Sequence, residues 1–143
     1  MILSNESLFS NKQAITATAL STNVIDLGEK GTPYGGVAPL EGDLGPGCGV
    51  PLAIRVNEDF NNLTSLKIAL EVGDTDTLGT EVASATVLAA DLVAGYQFPL
   101  LHLPLGTKGR YLGVRYTVTG TAPTTGKVTA GLTMGQQTNI TGV

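Results

Sequence analysis

The stretch GRYLGVRYTVTGTAPTTGKVTAGLTM, residues 109–134, alternates apolar and polar side chains in two runs. Leu112, Val114, Tyr116 and Val118 share one face, with Gly113, Arg115 and Thr117 on the other. Val128, Ala130, Leu132 and Met134 then alternate with Lys127, Thr129, Gly131 and Thr133. Side chains of a strand point to opposite faces in turn, so a period of two means a sheet with one dry side and one wet side. The pattern predicts two strands joined by a turn, a hairpin, and an all-β fold.

The rest of the chain supports that class. AITATAL (14–20) and NVIDL (23–27) read as a first strand pair. PLAIRV (51–56), SLKIALEV (65–72), VASATVL (82–88) and YQFPLLHL (96–103) read as further strands. Pro99 demotes the last of these to an edge or a bulge, because proline cannot donate to a ladder. About eight strands follow, with no helix beyond two turns and turn signals at short intervals. The expected architecture is a jelly-roll-like antiparallel β-sandwich, a single domain over residues 1–143. A charged fraction of 14% and 19 glycines suit strands and tight turns better than amphipathic helices.

Two segments stand outside the alternation. Residues 1–13 are polar with apolar points at Ile2, Leu3, Leu8 and Phe9, and are expected as an N-terminal arm. Between Gly28 and Gly49 the chain carries eight glycines together with Pro33, Pro39 and Pro46. Neither residue type sustains a ladder, so residues 28–51 are expected as a long Gly/Pro-rich loop. Loops beyond about 12–15 residues in a compact domain usually carry function or disorder.

Catalysis needs a nucleophile with a base, a carboxylate pair, or metal ligands. The one histidine, His102, lies among apolar strand residues, and no G-x-S-x-G elbow accompanies it. Asp74, Asp76 and Glu81 hint at an oxygen-rich loop, but their spacing departs from the calcium-loop pattern. Gly45-Pro46-Gly47-Cys48-Gly49 precedes a strand rather than the helix a phosphate loop must open. Cys48 is the sole cysteine and has no partner for a disulfide or a thiolate zinc site. No catalytic residue, cofactor or metal is expected, and the chain is not read as an enzyme. A net charge of −4 disfavours nucleic acid and anionic membranes as partners. No segment approaches the ~20 apolar residues of a spanning helix. The opening MILSNESLFSN has neither a basic n-region nor an apolar h-region.

The segments MILSNESLFSNKQAITATALSTNVIDLG, LVAGYQFPLLHLPLGTKGRYLGVRYTV and GKVTAGL, in that order, resemble the small capsid cement, or decoration, proteins of tailed bacteriophages. The resemblance implies a jelly roll that binds the outside of an icosahedral shell and bridges neighbouring major capsid proteins. It implies self-association as a homodimer or homotrimer, synthesis in the host cytoplasm and residence on the capsid exterior. The long loop departs from that family, so no contact residue is carried over from it. Contacts are instead expected from the arm (Ile2, Leu3, Leu8, Phe9), the loop (Tyr34, Leu40, Leu44) and the turn at Asp59 and Phe60. The alternative is a carbohydrate-binding β-sandwich module of a phage fibre or lectin, with Tyr34, the aromatic of the glycine-rich loop, as its platform.

Overall fold

The computed structural model describes residues 3–40, 42–45 and 49–135. Its strands are β1 (Leu3–Ala14), β2 (Ala19–Leu20), β3 (Ile25–Asp26), β4 (Leu52–Glu58), β5 (Leu63–Gly73), β6 (Thr80–Leu88), β7 (Tyr111–Gly120) and β8 (Lys127–Thr133). One sheet runs β1-β8-β4; the other runs β2-β7-β5-β6, with β3 also on β7. All pairings between named strands are antiparallel. The only helical turn among the described residues is Ala89–Asp91.

The 96–103 segment supplies a fourth, irregular row beside β4. Val56 N–H donates to Tyr96 O, Phe98 N–H to Ile54 O, Leu52 N–H to Leu101 O and Leu103 N–H to Val50 O. Between Phe98 and Leu101 this row advances one residue further than β4 does, so a bulge sits at Pro99–Leu100. With β2 and β3 in line along β7, four rows face four rows in the jelly-roll order.

Three expectations are corrected. β7 and β8 do not form a hairpin: β7 pairs with β5, β2 and β3, and β8 pairs with β1 and β4 in the opposite sheet. Alternation reports that each strand has one dry face; it says nothing of which neighbour supplies the ladder. The linker between them crosses the sandwich and is pinned there. Asn61 Oδ1 accepts from Thr124 N–H (2.8 Å) and Thr125 N–H (3.1 Å), and Asn61 Nδ2 donates to Thr124 Oγ1 (2.7 Å). Segments 14–20 and 23–27 do not pair with each other either; their short strands both lie on β7. Finally, residues 3–13 of the expected arm belong to β1, laid on β8 with three register shifts.

The core is built from the faces that alternation marks. Leu52, Ile54 and Val56 of β4 and Val128 and Ala130 of β8 meet Leu66, Ile68 and Leu70 of β5 and Leu112, Val114 and Tyr116 of β7. All of these are essentially inaccessible to solvent. Each of the Leu, Ile and Val side chains among them contributes about 1.5–3 kcal/mol relative to exposure. Tyr116 ties the two sheets with a polar bond as well. Its hydroxyl donates to Ser10 Oγ (2.8 Å), and Ser10 Oγ donates to Gln13 Oε1 (2.6 Å). Burial pushes the Tyr116 phenol well above its ordinary value, so it remains a neutral donor.

The outer face of the second sheet is partly covered. Arg115 Nε donates to both carboxylate oxygens of Glu71 (2.8 and 2.9 Å), and its guanidinium also reaches Thr77 O. The Glu71 hydrogen bond raises the Arg115 pKa. A Cβ on Gly113 would lie 2.7 Å from Leu78 Cδ1, so the turn after β5 folds down over a glycine left bare for it.

Candidate functional site

The feature that separates itself from the sandwich is the chain between β3 and β4. Every residue from Asp26 to Leu40 is exposed. Pro33 O accepts from Gly36 N–H (2.8 Å), closing a turn with Gly35 at φ 79°. That is the type II geometry, which needs a residue tolerant of positive φ at its third position. Leu40 N–H donates to Gly31 O (3.1 Å), so residues 31–40 form a closed finger. Tyr34 and Val37 are fully exposed on it, and Leu40 is 63% exposed.

The finger projects, but its base is fixed at both roots by one turn of the sandwich. On the outgoing root, Arg110 Nε and Nη2 donate to the two oxygens of Asp26 (3.1 and 3.0 Å), and Nη1 donates to Glu29 (2.8 Å). Leu27 N–H donates to Arg110 O (2.7 Å). The Arg110 fork, helped by the Gly28 N–H, holds the Asp26 carboxyl below the usual carboxylate range. On the returning root, the Asp43 carboxylate accepts from Gly45 N–H and Gly106 N–H, both at 2.8 Å. Leu44 N–H donates to Thr107 O (3.0 Å). Gly45 lies so close to Pro104 that any Cβ would collide with its carbonyl. Beneath the finger a hollow of about 310 Å³ opens between Leu27, Leu40, Leu44 and Gly109.

The contact residues expected from sequence divide sharply. Tyr34 and Leu40 stand on the finger, while Leu44 is half-buried at its root against the core. Phe9 is wholly buried and Phe60 nearly so; both belong to the core and present no side chain to a partner. Phe60 lies under the crossing linker, where a Cβ on Gly126 would collide with its ring. Leu3 and Leu8 are half-buried in β1, with Leu8 packed over Gly131. Asp59 is exposed, and its Oδ1 accepts from Ala94 N–H (2.6 Å), a turn-stabilising role. Ile2 and Cys48 lie outside the described residues. Sequence reasoning missed Val37, set between glycine and alanine with no alternation to mark it, and the Asp26–Arg110 and Asp43 anchors. Their signal was thin: an aspartate two residues before Gly28 at one end of the loop and one next to Gly42 at the other.

The residues weighed for chemistry are dispersed. His102 is exposed on the edge row, bridged to Pro51 and packed by Gly49. Glu81 is engaged with Lys67 Nζ (2.7 Å), whose hydrogen bond lowers the Glu81 pKa. Among the described residues, no group of three or more His, Cys, Asp or Glu side chains could hold a metal ion. The finger offers exposed apolar surface on a fixed base.

None of the curated proteins compared with the chain matches it. A family model described as Bbp16 does match, over residues 9–132, from the buried Phe9 to the last inward residue of β8. With nearly the whole sandwich and all of the finger inside that span, the chain belongs to the Bbp16 family.

Proposed function

We propose that the chain is a structural subunit of a phage virion, a cement protein that binds the outside of an icosahedral capsid and bridges neighbouring major capsid proteins. The observation that carries this reading is the finger: fully exposed Tyr34 and Val37 held out from a sandwich by anchors at both roots. The three segments that resemble phage cement proteins support it from the sequence side. Such a subunit needs no catalytic centre. It needs a rigid body and contact points that engage an ordered lattice. Each contact can be weak, since linked contacts raise avidity by about 10²–10⁴. A subunit that binds only the assembled shell stabilises it by mass action.

The test is co-sedimentation with phage heads assembled without the subunit. The wild-type chain should pellet with the heads and raise their disruption temperature. Tyr34→Ala combined with Val37→Ala should weaken pelleting at least tenfold. Wild-type chain left in the supernatant would sink the cement reading. Undiminished binding by the double variant would remove the finger from it. Tyr34-dependent glycan-array binding, with no binding to heads, would establish the carbohydrate module instead.

A further inference from the structure

The chain has three arginines, Arg55, Arg110 and Arg115. Two of them put Nε on a carboxylate. Arg110 holds Asp26 through Nε and Nη2 (3.1 and 3.0 Å), and Arg115 Nε meets both oxygens of Glu71 (2.8 and 2.9 Å). Arg55 is the exception. It is half-buried, and its Nε is sealed from solvent with no hydrogen-bond partner among the described residues. Its one bond among them runs from Nη2 to Gln97 Oε1 at 3.5 Å, the outer limit of such a contact. None of their carboxylates pairs with it, and the nearby Glu58 is taken by Lys127. Buried polar groups are nearly always bonded, and a charged donor without an acceptor is among the costliest exceptions.

Arg55 has an outward aspect. Ile54 and Val56, on either side of it in β4, belong to the core, so Arg55 lies on the outer face of the first sheet. Thr129 of β8 and Gln97 of the edge row flank it there. Thr129 Oγ1 donates to Asn57 Oδ1 (2.6 Å), which fixes that carboxamide and leaves its Nδ2 as a donor. Lys12 N–H donates to Thr129 Oγ1 (3.1 Å), which sets a second cation beside the strip. Lys12 has no acidic partner among the described residues either. Donors and positive charge thus gather on one strip of a chain whose net charge is −4.

We infer that Arg55 receives a carboxylate from an acidic segment of a protein partner, on its Nε–Nη2 edge. A planar fork matches a planar carboxylate through two parallel bonds, as Arg110 matches Asp26. One oxygen meets the unused Nε. The other displaces the long Gln97 contact from Nη2, with Asn57 Nδ2 beside them. Charge complementarity selects the occupant: the surplus of carboxylates elsewhere on the chain disfavours an acidic segment in other places and steers it to this strip.

The inference depends neither on the capsid reading nor on the finger, and its test uses no phage heads. In the isotope-labelled full-length chain, NMR resolves the Nε–Hε signals of the three arginines, with Arg110 and Arg115 as internal controls. Acetate and the capped peptide acetyl-Glu-Asp-Glu-amide should each move the Arg55 signal to saturation and leave the other two in place. Sodium chloride at matched ionic strength should not move it, and inorganic phosphate should bind more weakly than acetate. Arg55→Lys keeps the charge and loses the Nε edge. It should bind the peptide at least tenfold more weakly with an unchanged far-UV spectrum; should it fail to fold, the wild-type titrations decide alone. A stationary Arg55 signal or an equal response to chloride overturns the proposal. So does phosphate binding tighter than acetate, which would assign the site to a phosphorylated ligand, or full peptide affinity in folded Arg55→Lys.

Discussion

The finger and the sandwich beneath it use the same apolar residue types to opposite ends. In the sandwich, Leu112, Val114 and Tyr116 are inaccessible, and the one polar atom among them is bonded across the core to Ser10. In the finger, Tyr34 and Val37 touch little of their own chain, and nearly all the order comes from polar anchors at the roots. On the proposed reading, stability and contact are therefore assigned to separate residues. A change in one region should leave the property of the other intact, and that separation can be attacked.

Tyr116→Ala should have the largest effect. It empties a core site and leaves Ser10 without its donor, at a cost of about 3–5 kcal/mol. Urea denaturation measures the loss, while the fraction that remains folded should still bind heads. A variant that lost head binding while fully folded would show that the core reaches the contact surface. Gly126→Ala comes next. The glycine sits at φ 129° against the Phe60 ring, so a methyl group overpacks the linker and strains the backbone, at about 1–3 kcal/mol. An unchanged urea midpoint would mean the linker can shift to make room.

Arg110→Ala should scarcely move the unfolding midpoint, because its ion pairs are solvated. It should free the outgoing root and speed proteolysis within residues 31–40. Equal cleavage rates in the two proteins would show that the Asp43 root suffices alone. Acid probes the same anchor with a defined sign. The folded Asp26 pKa lies below its ordinary 3.8, so the anchor's contribution is present above pH 3.8 and is lost as pH falls through the depressed value. Finger proteolysis should therefore rise only in strong acid, and a rise already at pH 5 would contradict the assignment. The smallest effect on stability belongs to Tyr34→Ala with Val37→Ala, which should leave the melting temperature unchanged, measured by circular dichroism.

What the sequence discloses follows the physics of each region. Inward faces were legible because burial imposes a period of two on β5, β7 and β8, and the 96–103 edge was legible because Pro99 cannot join a ladder. Strand partners were not, since six residues between β7 and β8 can close a hairpin or cross a sandwich with equal ease. Phe9 and Phe60 were misjudged because a single aromatic in a polar segment shows no periodicity; only the packing of the whole chain tells an anchor turned inward from one turned outward. The loop was found by its glycines and prolines, but its order was hidden. Asp26, Asp43 and Arg110 are far apart in sequence, and their bonds exist only once the 104–110 turn is formed.

Both roots of the finger are held by that one short turn, through Arg110 on one side and Thr107 and Gly106 on the other. The span between the roots is thus a closed loop whose length the sandwich does not sense. Doubling such a loop costs only about 0.6 kcal/mol in closure entropy. The tip can accordingly lengthen, shorten or change its residues from one lineage to another, or accept a foreign peptide, with the scaffold untouched. The two clamped roots make the molecule a ready-made frame for presenting exchangeable sequence.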